Sequence, residues 1–157
     1  MEHFTVERIN NKKYLHLGFT LIELLVVISI IAVLSVIGLV SYSTFLKSSR
    51  DNRRLADLKF IQSSLEEYHS DNLAYPFTVT PGTPIVNGGK TYMSQVPNDP
   101  ALNPNYSYVA SGTSCAAATP QNCTSYCLYA KIEGTNIPAS DSVCTPTSPY
   151  NYGISRP

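Results

Sequence analysis

A single carboxylate and four thiols hold most of the chemistry that this 157-residue chain could carry out. Glu23 follows Phe19, Thr20, Leu21 and Ile22 and precedes a run without charge over residues 24–46. A carboxylate inside an apolar segment of membrane length costs at least ~2.5 kcal/mol and marks a site with a specific partner. The competing reading puts Glu23 at headgroup level, hydrated, where an apolar span happens to begin. The residues around it leave both open. Cys115, Cys123, Cys127 and Cys144 all fall in the last third of the sequence. An even number in a small, loop-rich region points to two disulfides in an oxidising compartment. A zinc site would want paired, short-spaced ligands; only Cys123 and Cys127 are close enough, and His3, His16 and His69 lie elsewhere. Of the three connectivities, Cys115 with Cys123 and Cys127 with Cys144 is the expected one, because near partners close short loops at least entropic cost.

The other polar groups offer less. Glu66 and His69 share a helical face beside Glu67, and a solvated polar face accounts for them without a metal or an acid–base pair. The sequence holds no nucleophile elbow, phosphate-binding loop or metalloprotease motif. No Ser or Cys has the base and orienting group that a nucleophile needs. We therefore expect no enzyme, no catalytic residue, no cofactor and no metal. A formal net charge of +0 and a pI of 6.8 give no long-range pull towards polyanions, so nucleic acid is not an expected partner. The eleven tyrosines concentrate in the C-terminal half. A stacking surface for single-stranded nucleic acid would use them, but packing of a small sheet, with hydroxyls reaching solvent, is the expectation. Asn105-Tyr106-Ser107 and Asn122-Cys123-Thr124 match the glycosylation pattern, as a chain rich in Ser, Thr and Asn does by chance.

The elements that must position these residues are legible from periodicity. Residues 1–18 are polar and carry Arg8, Lys12 and Lys13; from Phe19 the chain becomes apolar through Leu46. That run is long enough for a transmembrane helix, and nothing after Leu46 looks like a signal cleavage site. Lys12 and Lys13 favour a cytoplasmic N-terminus, while Lys47, Arg50, Arg53 and Arg54 pull the other way. The cysteines decide for an outside C-terminal region. Leu55, Leu58, Ile61, Leu65, Tyr68 and Asn72 recur at steps of three or four, an amphipathic stripe on the same helix. One helix is expected from about Phe19 to Asn72, ended before Pro76. TPGTPIVNGG and VPNDPALNPN read as loops. Strands are expected at 91–95, 106–110, 126–133 and 150–154, giving an α+β fold in which a small antiparallel sheet packs on the stripe.

Gly18-Phe19-Thr20-Leu21-Ile22-Glu23, continued by LLVVISIIAVL, closely resembles the cleavage and methylation motif of type IV prepilins. In that family a membrane-bound aspartic peptidase cuts after the glycine and N-methylates the new terminus. The resemblance implies cleavage after Gly18, a mature N-terminus at Phe19, and Glu23 as the assembly glutamate. The new Phe19 ammonium of a neighbouring subunit would then be the partner Glu23 needs, setting register while apolar area supplies adhesion. Ser29, Ala32, Ser35 and Gly38 lie three apart and would let helices approach closely. EEYHSDNLAYP (66–76) and YMSQVPNDP (92–100) are similar to segments of pseudopilins. Val40 stands where many relatives have a kinking proline, and the acidic calcium-binding loop of major pseudopilins has no counterpart after Pro100.

The resemblance implies a leader at 1–18, a transmembrane and assembly half at 19–46, and an extracytoplasmic domain at 47–157. It implies a structural subunit of a type IV pilus, or of a secretion or DNA-uptake pseudopilus. Its partners would be copies of itself, related pilins, the prepilin peptidase and the assembly machinery. It would sit single-pass in the cytoplasmic membrane before polymerising outside. The alternative is a monomeric, membrane-tethered binding domain, which has no reason to possess the 18–23 motif.

Overall fold

The amphipathic stripe determines where the core lies. The computed structural model describes residues 18–102 and 104–156, with the side chains at 37–41 and 121 left out. The expected leader residues 1–17 and the side chain of Val40 lie outside the described residues. One helix, α1 (Leu21–Asn72), carries both the apolar run and the stripe. It ends where Leu73 turns into the left-handed region (φ 58) and its N–H donates to the His69 carbonyl at 2.8 Å. Gly or Asn usually fills that position; here Leu73 does. Two compact units divide between Val40 and Ser41, within the span expected to end at Leu46.

In the second unit, two strands form a hairpin, β1 (Ile85–Asn87) with β2 (Lys90–Met93). A three-stranded antiparallel sheet follows, ordered β3 (Ser107–Ser111), β4 (Ser125–Ala130), β5 (Tyr152–Ser155). The fold class is α+β, as the residue patterns imply. Along β4, Tyr126, Leu128 and Ala130 are buried while Cys127 and Tyr129 are only half-buried, the period of a one-sided strand. They join Leu58, Ile61 and Leu65 of α1, all fully buried, in one core with Tyr75, Val96, Tyr106 and Ile154. Burying a Leu or Ile side chain is worth ~1.5–3 kcal/mol, so these three helix positions hold the sheet to α1.

β1 lies inside the segment expected to be a loop. Asn87-Gly88-Gly89-Lys90 explains it: both glycines take positive φ (56 and 82), the conformation of a two-residue hairpin turn. All four residues of β5 are buried. Its outer edge is covered by residues 140–141. Asp141 N–H donates to the Gly153 carbonyl, and Ser155 donates both N–H and hydroxyl to Asp141 Oδ2. Gln62 of α1 donates to the Ser155 carbonyl at 2.6 Å. An edge strand so covered offers no template for another chain.

Candidate functional site

Gly18, Phe19 and Thr20 are non-helical and exposed, and α1 begins at the next residue. The Glu23 N–H donates to Thr20 Oγ1 at 3.2 Å, and the Leu24 N–H to the Thr20 carbonyl at 3.2 Å. A Cβ added at Gly18 would meet nothing within 4 Å, and its φ is not in the left-handed region. Among the described residues, therefore, nothing in this chain requires glycine at 18. From residue 24 to residue 36 every residue of the helix is exposed and none is charged. Large apolar side chains from Phe19 to Val36 keep between 46% (Val27) and 84% (Phe19) of their surface exposed. Ser29 and Ser35 turn their hydroxyls back onto the carbonyls of Val26 and Ile31, both at 2.7 Å, so they present no free donor on that surface.

Residues 16–39 match the family model of the prokaryotic N-terminal methylation motif, the signature of type IV pilins and pseudopilins. This segment is a prepilin-type methylation motif. The motif brings Gly18, Phe19 and Glu23 within one short stretch and sets them at the start of α1. No curated protein and no solved structure matches the chain. The motif supports a pilin-like or pseudopilin-like precursor, and the matched family is a structural motif, not an enzymatic family. Among the described residues no helix is long and apolar enough to cross a membrane. The apolar run of α1 is interrupted at residues 37–41, whose side chains are not described, and an unbroken span takes ~20 residues. The expected span over 19–46 is accordingly part of the proposal below.

The unit behind the motif is fastened by Arg50 and Arg54, which in the sequence stand only as charges flanking the apolar run. Arg54 is 2% exposed, as is Asp99 in the VPNDP loop. The guanidinium donates to both Asp99 oxygens, through Nε and through Nη2 at 2.9 Å, and through Nη1 to Asp51 at 2.7 Å. Nη1 also lies 2.7 Å from Glu133 Oε1, and Arg50 forms a second, forked pair with Glu133. Asp51 accepts further N–H groups from Glu133 and Gly134. Hydrogen bonding to Asp99 first, then to Glu133 and Asp51, raises the Arg54 pKa against the cost of burial. Arg50 first, then Arg54, holds the Glu133 carboxyl down at about 2. α1 is thus tied to two loops by one buried network. The missed signal was an Arg on the inner side of the stripe, one residue before Leu55.

The remaining candidates are structural. Disulfides join Cys115 to Cys123 and Cys127 to Cys144, and no described cysteine is free. Among the described residues no cluster of His, Cys, Asp and Glu fits a metal ion. Glu66 and His69 do not form the solvated face expected of them. The hydroxyls of Tyr75 and Tyr126 donate to Glu66, and His69 stacks on Tyr75 with ring centres 4.5 Å apart. Burial pushes the Tyr75 hydroxyl up to about 12. Asn105 is also occupied. Its Oδ1 accepts N–H groups of Asp99 and Tyr106 and its Nδ2 donates to Asn98, which shapes the VPNDP loop and accounts for Asn105 without a glycan.

Proposed function

We propose that this chain is a subunit of a type IV pilus or pseudopilus, cut after Gly18 by a prepilin peptidase, methylated on Phe19 and polymerised through the front half of α1. What carries the reading is a coincidence over the same residues: the methylation motif opens a helix whose described apolar side chains from Phe19 to Val36 stay exposed. Exposed apolar area on that scale needs lipid or other subunits. In the precursor, residues 19–46 span the cytoplasmic membrane with the leader inside, and residues 47–157 stand on the oxidising side where disulfides persist. Hydrolysis after Gly18 leaves an ammonium on Phe19, and methyl transfer from a methyl donor keeps that charge. Glu23 then pairs with the Phe19 ammonium of a neighbouring copy, a charge-assisted contact that sets the stagger. Related pilins and the assembly machinery complete the filament.

Mass spectrometry of protein extracted from membranes that contain the peptidase tests the reading. We expect a mature chain beginning at Phe19 and carrying one N-methyl group. A chain that keeps Met1, or one cut beyond Leu46, would overturn it and favour a tethered monomeric domain.

A further inference from the structure

We infer that Thr20 is a positioning residue for the cleavage: it stops α1 one residue past the scissile bond and so keeps the Gly18–Phe19 amide in open, non-helical backbone. This rests on the processing reading above and deepens it. The geometry is that of an N-cap. Thr20 Oγ1 accepts the Glu23 N–H, its carbonyl accepts the Leu24 N–H, and Thr20 itself is non-helical. Thr20-Leu21-Ile22-Glu23 has the spacing of a capping box, with Glu23 at the third helical position. Phe19 and Leu24 stand at the two positions of a hydrophobic staple. The residues read by the processing machinery thus also spell a helix start.

The consequence for hydrolysis is direct. If the helix ran on across Phe19 and Gly18, the Gly18 carbonyl would accept the Ile22 N–H and the scissile amide would be locked in a helical turn. Cleavage needs a locally open chain, and its rate follows the population of the open form. With Thr20 in place, Gly18, Phe19 and Thr20 are exposed and non-helical, and none of the described residues crowds Gly18. Water then adds to the Gly18 carbonyl carbon and the bond to the Phe19 nitrogen breaks. The products are a Gly18 carboxylate and a Phe19 ammonium. The cap atoms all lie on the product side of that bond, so the helix start survives the cut. The new ammonium sits at the positive end of α1, where Glu23 in the first turn offsets it.

The test uses full-length precursor in detergent micelles with purified prepilin peptidase. It compares the parent with Thr20→Ala, Thr20→Val, Thr20→Ser, Thr20→Asn and Thr20→Asp. We expect Ala and Val to slow cleavage by up to about fivefold, the change in the ratio of open to helical forms that a cap worth ~1 kcal/mol gives at 1.36 kcal/mol per tenfold. Ser, Asn and Asp, which cap with differently shaped side chains, should cleave within about twofold of the parent. Amide hydrogen exchange at Ile22 should slow in Ala and Val only, because its N–H then bonds the Gly18 carbonyl, whereas faster exchange there would mean that the helix frays and would overturn the inference. Equal cleavage of Thr20→Ala and parent would overturn the inference while leaving the processing reading intact. Slow cleavage of Asn and Asp would overturn it too, because the peptidase would then be reading the Thr hydroxyl itself. A parent never cut after Gly18 would overturn both.

Discussion

Arg54 is the residue whose role is hardest to see from the chain alone. In the sequence it stands in a cluster of charges after an apolar run, and its bidentate partner Asp99 is 45 positions away. Periodicity places residues on faces but says nothing about which loop returns to meet them. The structure shows a guanidinium with all its partners carboxylates, and among the described residues no buried side-chain nitrogen or oxygen lacks a hydrogen bond. Removing one member leaves the others buried and unpaired, which costs ~3–5 kcal/mol. We therefore expect Arg54→Met to lower the unfolding free energy from urea denaturation by that much, with a lower midpoint, and Arg54→Met with Asp99→Leu to recover part of it. An unchanged midpoint in the single variant would show that water replaces the guanidinium freely. The same network sets an acid limit. The folded Glu133 carboxyl titrates at about 2 against an ordinary 4.5, so its contribution is present above pH 4.5 and is lost as pH falls from there through about 2. Asp141, lowered first by the backbone N–H of Ser155 and then by its hydroxyl, acts in the same sense. Thermal melts from pH 7 to 2 should show stability falling over that window, less steeply in Glu133→Gln. A Glu133→Gln slope as steep as the parent's would assign the acid limb to other carboxylates.

At the scale of elements, what repeats along the chain was legible and what depends on one turn was not. The stripe at 55, 58, 61, 65 and 68 is written at helical spacing, and those positions are buried or half-buried against the sheet. The strands at 106–110, 126–133 and 150–154 alternate, and each overlaps a strand of the sheet within a few residues. β1 is three residues long, too short for any period, and only its Gly88-Gly89 turn announces it. β5 reads as a one-sided strand and is buried throughout, because residues 140–141 cover its edge. Gly153 fits that crowding: a Cβ there would lie 2.9 Å from the Tyr129 ring and 3.2 Å from Cys144 Cβ. The stripe makes the sharpest prediction. Leu65 is fully buried in the core, so Leu65→Ala should cost ~2–5 kcal/mol, transfer loss plus cavity. That is a large share of the ~5–15 kcal/mol a domain has. Urea denaturation with the disulfides intact measures it, and a loss under ~1 kcal/mol would mean that the site collapses around the smaller side chain.

For the whole molecule, the division of labour along α1 is the point to test. From Leu58 onward the helix finds its partners within the chain, whereas from Phe19 to Val36 its described apolar side chains find none. A charged group at Glu23 within that uncovered stretch is costly in lipid, and a filament gives it a counter-charge that lipid cannot. Glu23→Val should therefore leave membrane levels equal or higher and still impair filaments. The ridge of Ser29, Ala32 and Ser35 tests the helix contacts separately from the charge. All three are small and exposed, and both hydroxyls are turned back onto the helix, so the ridge is smooth enough for a neighbouring backbone to approach. Ala32→Phe adds bulk there without touching Gly18, Phe19, Glu23, the core or the network around Arg54. We expect normal folding, insertion and cleavage after Gly18, with shorter or fewer filaments. Electron microscopy of sheared surface material, normalised to membrane levels of the same variant, reads the outcome. If Ala32→Phe impairs assembly and Glu23→Val does not, helix packing alone sets the stagger and the charge pair is dispensable. If Glu23→Val impairs it and Ala32→Phe does not, the contacts lie on another face of α1. If neither variant changes the filaments, the front half of α1 serves as an anchor, and polymerisation is carried by the domain behind it.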